Sequence, residues 1–502
     1  MKIAPRIPGA SQLTAGAARF DPFLSAALWI AILVAVVAAA LGTSAIASSP
    51  AFPLIVGVLV ISVIAFALIV GAHHNGHDAC SPLGLICLFY VATFAIGAVY
   101  FYVSPWPGGL QPFEQDDLAP AVGLGAIGLV MLTIGYWANP LRSLLRVIPA
   151  LPRDVTSRTT FALVASLLVV GWVARAHAFA TGNYFYSDSE AGPTTGSSWL
   201  ILTSTNLPLL VTAYCGARYY FARRAGASYG NVRWQYYLLL AVEVAYVAPT
   251  ARRTAILSIL MMVLVLRYYG LRRRPTVVSV LATVTFAVIV VFPIVNTFRN
   301  TQTPFQENLT GNFLVAAQSL RDSSPSEAID SGLDSTFQRF SGVTSMAAIL
   351  HYGPDASQRK PGETLAWSLT ALLPRAVAPN KPNPGSYGNE FAQTFAVAAP
   401  GPATTSVAVP HVAELYLSYR VAGIILGMFI IGSVYRLLGD YLIGRKTDPL
   451  TLAVYATLAW VLVNSQEAIV AGSVLGIFKL ATVLVIALLA ASRLQHVWAK
   501  PR

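Results

Sequence analysis

Charge is what this sequence has least of. Only 11% of its 502 residues are Asp, Glu, Lys or Arg, while 56% are hydrophobic; a soluble globular chain carries about 25% charged residues. So few charges exclude a water-facing surface over most of the chain. Cysteine is nearly absent as well. Cys80, Cys87 and Cys215 lie in or beside apolar stretches, and no pair has zinc or disulfide spacing. They read as small core residues. There is no Walker loop, and no G-x-G-x-x-G placed between a strand and a helix, which argues against an ATP-driven pump. There is no internal repeat or heptad pattern, whereas transporters usually have repeated halves. Acidic residues are the scarcer sign, 21 Asp and Glu against 33 Lys and Arg, for a net charge of +12. In a soluble chain that excess would suggest nucleic acid. No RNA or DNA motif accompanies it, and cytoplasmic loops of membrane proteins collect Lys and Arg, so no nucleic-acid partner is expected.

What the chain does have is long apolar runs. They occupy about 23–47, 52–72, 83–104, 118–138, 159–180, 198–220, 234–250, 254–271, 276–297, 417–439, 449–466 and 471–492. A helix rises 1.5 Å per residue, so runs of roughly 18–24 residues cross a hydrocarbon core about 30 Å thick. The fold class expected is all-α: a polytopic transmembrane helical bundle of about twelve spans. The basic N-terminus "MKIAPRIPGASQLTAGAARFDPF" precedes a run too long for a signal-peptide core, which reads as a retained span. Arg142, Arg146, Arg153 and Arg158, then Arg218, Arg223, Arg224 and Arg233, then Arg272, Arg273 and Arg274, and finally Arg436, Arg445 and Lys446 fall on one side of a twelve-span arrangement. That side is cytoplasmic by the positive-inside rule, and both termini share it. The chain then divides into spans one to nine (1–297), one large extracytoplasmic insert with short helices (298–416) and spans ten to twelve (417–502).

Charges inside spans are costly and point to function by default. Arg175 and His177 close the fifth run, Glu243 lies in the seventh, and Lys479 lies in the twelfth. Arg252 and Arg253, in "VAPTARRTAIL", break the positive-inside pattern on an outer turn. Either they pair with Glu243 or they bind an anion, for which the planar guanidinium fork is suited. The insert adds Arg299, Arg321, Arg339, Arg359, Lys360, Arg375 and Lys381. The last two stand in "LLPRAVAPNKPNPG", where prolines fix φ and lower the cost of ordering the loop. The segment reads either as a solvated loop or as a stiff holder of two cations at a fixed separation. In "PHVAELYLSYRVAG", His411 and Glu414 share a helical face. A carboxylate or imidazole there can take a proton from a hydroxyl; the alternative is that Glu414 pairs with Arg420 or an insert arginine. A competing site is "AHHNGHDAC", with His73, His74, His77, Asp78 and Cys80, whose spacing matches no standard metal site.

Three of these stretches together resemble the Wzy-type O-antigen and exopolysaccharide repeat-unit polymerases. "ARRTAIL" resembles that family's small-x-Arg-small turn before a span. "LLPRAVAPNKP" resembles its Pro-Arg-…-Pro-x-Lys-Pro signature in the large periplasmic loop. "AELYLSYRVAGIILGMFIIG" resembles its Glu-x-Tyr-x-(Asn-Phe-Gly)-x-x-Gly opening of the next span, with Ser418, Tyr419 and Arg420 where the family has Asn-Phe-Gly. The resemblance covers roughly residues 240–440. It implies a GT-C-like glycosyltransferase of the bacterial inner membrane acting on undecaprenyl-diphosphate-linked oligosaccharide. Membrane lipid and a chain-length regulator protein would be further partners, with no cofactor and no metal. It implies Glu414 or His411 as the catalytic group. Arg252, Arg253, Arg375, Lys381, Arg339 and Arg299 would form the diphosphate-binding set. An O-antigen ligase and a transporter or flippase for the same lipid-linked sugar are the alternatives.

Overall fold

The computed structural model describes residues 51–75, 80–103, 112–148, 157–181, 203–247, 253–272, 318, 342–357, 359–373, 378, 381–397, 407–444 and 448–482. Every regular element among them is helical. The expected runs 23–47 and 276–297, and nearly all of 298–341, lie outside the described residues.

Seven helices come first: α1 (Ala51–Asn75), α2 (Pro82–Val103), α3 (Gln115–Ala138), α4 (Ser157–Ala180), α5 (Leu207–Arg224), α6 (Gly230–Val247) and α7 (Arg253–Leu271). Three shorter ones follow, α8 (Gly342–Tyr352), α9 (Glu363–Ala371) and α10 (Tyr387–Thr394). The last are α11 (His411–Gly439), α12 (Pro449–Asn464) and α13 (Val470–Thr482). Among the described residues, five helical stretches are long and apolar enough to cross a membrane: α2, α3, Leu163–Ala180 of α4, Thr254–Leu271 of α7, and α11 continued to Gly444. The chain is therefore all-helical and transmembrane in character.

Local chemistry sets the helix ends. Ser81 caps α2 by accepting from the Gly84 amide at 3.1 Å, with Pro82 at the first position, where no amide is needed. Glu114 and Asp117 form a reciprocal capping box at the start of α3, and Asp448 and Thr451 do the same for α12. Asn139 stops α3 in the left-handed region, φ 44°.

The centre of the bundle is the crossing of α3 and α11. A Cβ on Gly135 would strike the Phe429 carbonyl oxygen, and one on Gly432 would strike the Leu132 carbonyl oxygen. Each backbone thus lies against the other at a position without a side chain. This is how helices gain close contact where lipid supplies no hydrophobic drive between them. Ser433 seals the crossing by donating from Oγ to the Gly135 carbonyl at 3.1 Å.

Helix α8, expected within an extracytoplasmic insert, is part of this core. Val343 to Ile349 are all buried, and Gly342 sits against Phe94 and Thr93 of α2. At its far end, His351 Nδ1 lies 3.0 Å from Asp117 at the start of α3.

Helix α11 is a hairpin. Tyr419 (φ −145°, ψ 24°) and Arg420 (φ 58°, ψ −146°) leave helical geometry. A Cβ on Gly128 would lie 2.7 Å from Val412 Cγ2 and 3.6 Å from Met428 Cγ. In a straight helix those two residues would stand about 24 Å apart. Leu415 likewise packs on both Gly423 and Gly427. Residues 411–418 therefore fold back along 421–439. The long arm, about 28 Å at 1.5 Å per residue, suffices to cross a bilayer core. It begins close to where the expected tenth span begins.

Helices α4 and α6 are joined by a buried ion pair. Arg175 donates to Glu243 from Nη1 at 2.8 Å and from Nη2 at 2.6 Å, and from Nε to the Thr205 carbonyl at 3.0 Å. Its guanidinium also lies over Tyr246, 3.9 Å from the ring centroid. Glu243 is thus satisfied by Arg175, a partner that neither alternative for Arg252 and Arg253 includes.

Gly432→Val is expected to destabilise by about 3 kcal/mol, because backbone cannot yield as a side chain can. Gly123→Ala, which meets open space, should be neutral, with both read from melting temperatures in detergent. Glu243→Ala should cost about 3 kcal/mol by stranding a buried guanidinium, and Arg175→Met with Glu243→Leu should recover most of that loss in the same assay.

Candidate functional site

The short arm of α11 carries the site. Pro410 precedes it as N-cap, and His411 and Glu414 stand in its first turn. Their faces turn inward, leaving Glu414 fully buried and His411 nearly so. The wall they meet is a second break in helical structure. α12 ends at Asn464, Ser465–Glu467 form a 3-10 turn, and α13 starts at Val470.

Glu414 reaches across to that break. Its Oε2 accepts the Val470 amide at 2.6 Å. The Thr364 side chain, from the first turn of α9, faces the same carboxylate. Oε1 makes no hydrogen bond of ordinary geometry. Among the described residues no cation pairs with Glu414, and Arg420 instead bonds Asp355 through Nη2 at 2.7 Å. A carboxylate buried without a counter-ion is costly, and inside a membrane protein such a group marks a site.

His411 belongs to a buried polar cluster. Its Nε2 lies 2.8 Å from Ser473 Oγ, and Ser473 Oγ donates to the Ser465 carbonyl at 2.8 Å. Ser465 Oγ is 2.9 Å from the Tyr435 hydroxyl, which accepts from Gln466 Nε2 at 2.6 Å. The Gln466 side chain faces His411 again, while the imidazole Nδ1 lacks a hydrogen bond of ordinary geometry. Ser465, Gln466, Ser473, Tyr435 and Thr364 were not singled out by sequence reasoning. Its available signal was the polar "NSQE" between two apolar runs.

Two insert cations serve the scaffold around this site. Arg359 donates to Glu390 from Nε at 2.6 Å and from Nη2 at 2.5 Å, and to Glu363 from Nη1 at 2.6 Å. It also lies 4.4 Å from the Trp367 ring centroid, and so clamps α9 to α10. The hydrogen bonds to Glu390 hold its pKa above the usual guanidinium value. Tyr387, on α10, is pushed up by burial first and then by the negative charge of Glu414. Lys381, from the proline-rich segment, donates to the Ala371 carbonyl at 2.9 Å and to the Leu373 carbonyl. It caps the C-terminal end of α9, where a cation meets the unsatisfied carbonyls and the negative end of the helix dipole.

Arg252, Arg299, Arg339 and Arg375 lie outside the described residues, as do His77 and Asp78. Arg253 is the first residue of α7; its side chain, like those of His73 and His74, also lies outside the description. Among the described residues no group of three or more His, Cys, Asp or Glu gathers as metal ligands. Cys80, Cys87 and Cys215 are buried thiols.

Residues 238–443, from α6 through the α11 hairpin, match a family model described as a domain of unknown function (DUF8712). No curated protein and no solved structure matches the chain.

Glu414→Gln keeps an acceptor for the Val470 amide and removes a buried charge that no cation among the described residues pairs with. It is expected to stabilise the protein by about 1 kcal/mol. A raised melting temperature in detergent is the expected reading.

Proposed function

We propose that this protein polymerises lipid-linked oligosaccharide repeat units at the periplasmic face of the bacterial inner membrane. It would transfer a growing glycan from undecaprenyl diphosphate to an incoming lipid-linked unit. The observation that carries the reading is Glu414, buried beside His411 and paired with no cation among the described residues. Glu414 stands in one of the three stretches that resemble Wzy-type polymerases, and His411 lies two residues before that stretch. A second observation supports it: where the resembled motif has glycine, this chain places Arg420 at φ 58°, a backbone region that favours glycine.

In this reading Glu414 or His411 accepts the proton of the acceptor hydroxyl. The hydroxyl oxygen attacks the anomeric carbon of the donor sugar, and the bond from that carbon to the diphosphate oxygen breaks. The electron pair leaves with undecaprenyl diphosphate. Arg253 and Arg375, with Arg252, Arg299 and Arg339, hold the diphosphate as its charge grows. Lys381 keeps α9 in place and brings its cation to the same segment. The topology that goes with this is twelve spans, both termini in the cytoplasm, and the insert opening to the periplasm. The reaction requires no nucleotide, since the donor carries its own leaving group.

The test is a gel of surface and secreted glycan from a strain lacking the protein, complemented with wild type, Glu414→Gln or Arg375→Ala. Expected is loss of long chains, with lipid-linked single repeats left behind, rescued by wild type and by neither variant. Long chains stranded on the carrier lipid would instead mean a ligase. A glycan profile unchanged by the deletion would overturn the glycosyltransferase reading.

A further inference from the structure

The tip of the α11 hairpin holds a cation whose placement neither the ion pair it makes nor the fold around it accounts for. Arg420 sits at φ 58°, ψ −146°, where a Cβ is poorly tolerated and glycine is at ease. Two other arginines engage their whole fork. Arg175 uses all three guanidinium nitrogens on Glu243 and Thr205, and Arg359 uses all three on Glu390 and Glu363. Arg420 engages one, Nη2, with Asp355 Oδ1 at 2.7 Å. The Asp355 side chain is 94% exposed and that of Arg420 is 46% exposed. An ion pair so open to water holds weakly. It gives little reason to keep a side chain where glycine would fit better.

The tip also adjoins the buried carboxylate. The Tyr419 hydroxyl rests on Gly362, the N-cap of α9, while Thr364, two residues on, faces Glu414. One helical turn therefore borders both the hairpin tip and the site. Tyr419 stays more than half exposed, and the Tyr416 ring lies 6.0 Å from the guanidinium carbon.

We propose that Arg420 is a phosphate-contacting residue, which exchanges its Asp355 partner for a phosphate group of an anionic ligand. The exposed Asp355 carboxylate is an exchangeable placeholder for that phosphate, and the remaining guanidinium nitrogens supply the second arm of a bidentate contact. The ligand's identity as a lipid-linked diphosphate rests on the polymerase reading above; the phosphate chemistry does not.

The experiment uses the full chain in nanodiscs, with farnesyl diphosphate as soluble probe and, separately, nanodiscs with and without phosphatidylglycerol. Arg420→Gly and Arg420→Ala should each weaken binding about tenfold or more, and Arg420→Lys less. Asp355→Asn should bind as tightly as wild type or more tightly. Arg420→Gly should melt above Arg420→Ala, because it relieves the backbone while removing the same cation, so lost binding cannot be assigned to lost folding. Loss of farnesyl diphosphate binding identifies a diphosphate ligand, and loss of a phosphatidylglycerol-dependent stabilisation identifies a lipid headgroup; either supports the contact. Wild-type affinity for both in Arg420→Gly, or no response of wild type to either, would overturn it. So would Arg420→Gly melting no higher than Arg420→Ala. A deletion strain with normal glycans would defeat the polymerase reading alone and leave these binding results standing.

Discussion

The hydrogen bond from the Val470 amide to the Glu414 carboxylate ties the short arm of α11 to a break in α-helical structure between α12 and α13. Buried backbone outside a helix needs partners for its polar groups. A first break is the hairpin turn at Tyr419 and Arg420, and a second is the Ser465–Glu467 turn between α12 and α13. Glu414 stands on the short arm leading to the first and accepts an amide at the second. His411, through Ser473 and the Ser465 carbonyl, adds a parallel tie. The Glu414 carboxylate and the Ser473 hydroxyl thus satisfy part of the backbone at the second break.

Around them the scaffold is rigid for a simple reason. α3 and the long arm of α11 meet backbone to backbone at Gly135 and Gly432, so neither helix can rotate without collision. α8 fills the space beside them with an unbroken buried stretch. Arg359, bonded to residues of α9 and α10, fixes the turn that brings Thr364 to Glu414. Rigidity on this side matters because it fixes where the buried Glu414 carboxylate stands.

The charged residues sort by how completely their partners satisfy them. Arg175 with Glu243 forms a bidentate pair lined by aromatic rings, which closes the question that two intramembrane charges raise. Lys381 caps a helix through two carbonyl oxygens. Glu414, by contrast, keeps an oxygen without an ordinary hydrogen bond, and Arg420 keeps most of its fork unused. Incomplete satisfaction at buried or strained positions is where function belongs in an otherwise consistent fold.

Composition and run length alone determined the class of the molecule, because burying the backbone in hydrocarbon demands apolar helices of sufficient length. The expected runs 83–104, 118–138 and 254–271 fall within a few residues of α2, α3 and α7 for that reason. His411 and Glu414 were also legible, since three residues apart on a helix means one face. Pairing was decided by tertiary structure alone. Glu243 meets Arg175, 68 residues away in the chain, and Glu414 meets the amide of Val470, 56 residues away. No local pattern encodes which distant group arrives. The reversal at Tyr419 and Arg420 was hidden for a different physical reason: apolar residues continue through it, and hydropathy records how greasy a segment is without recording its direction.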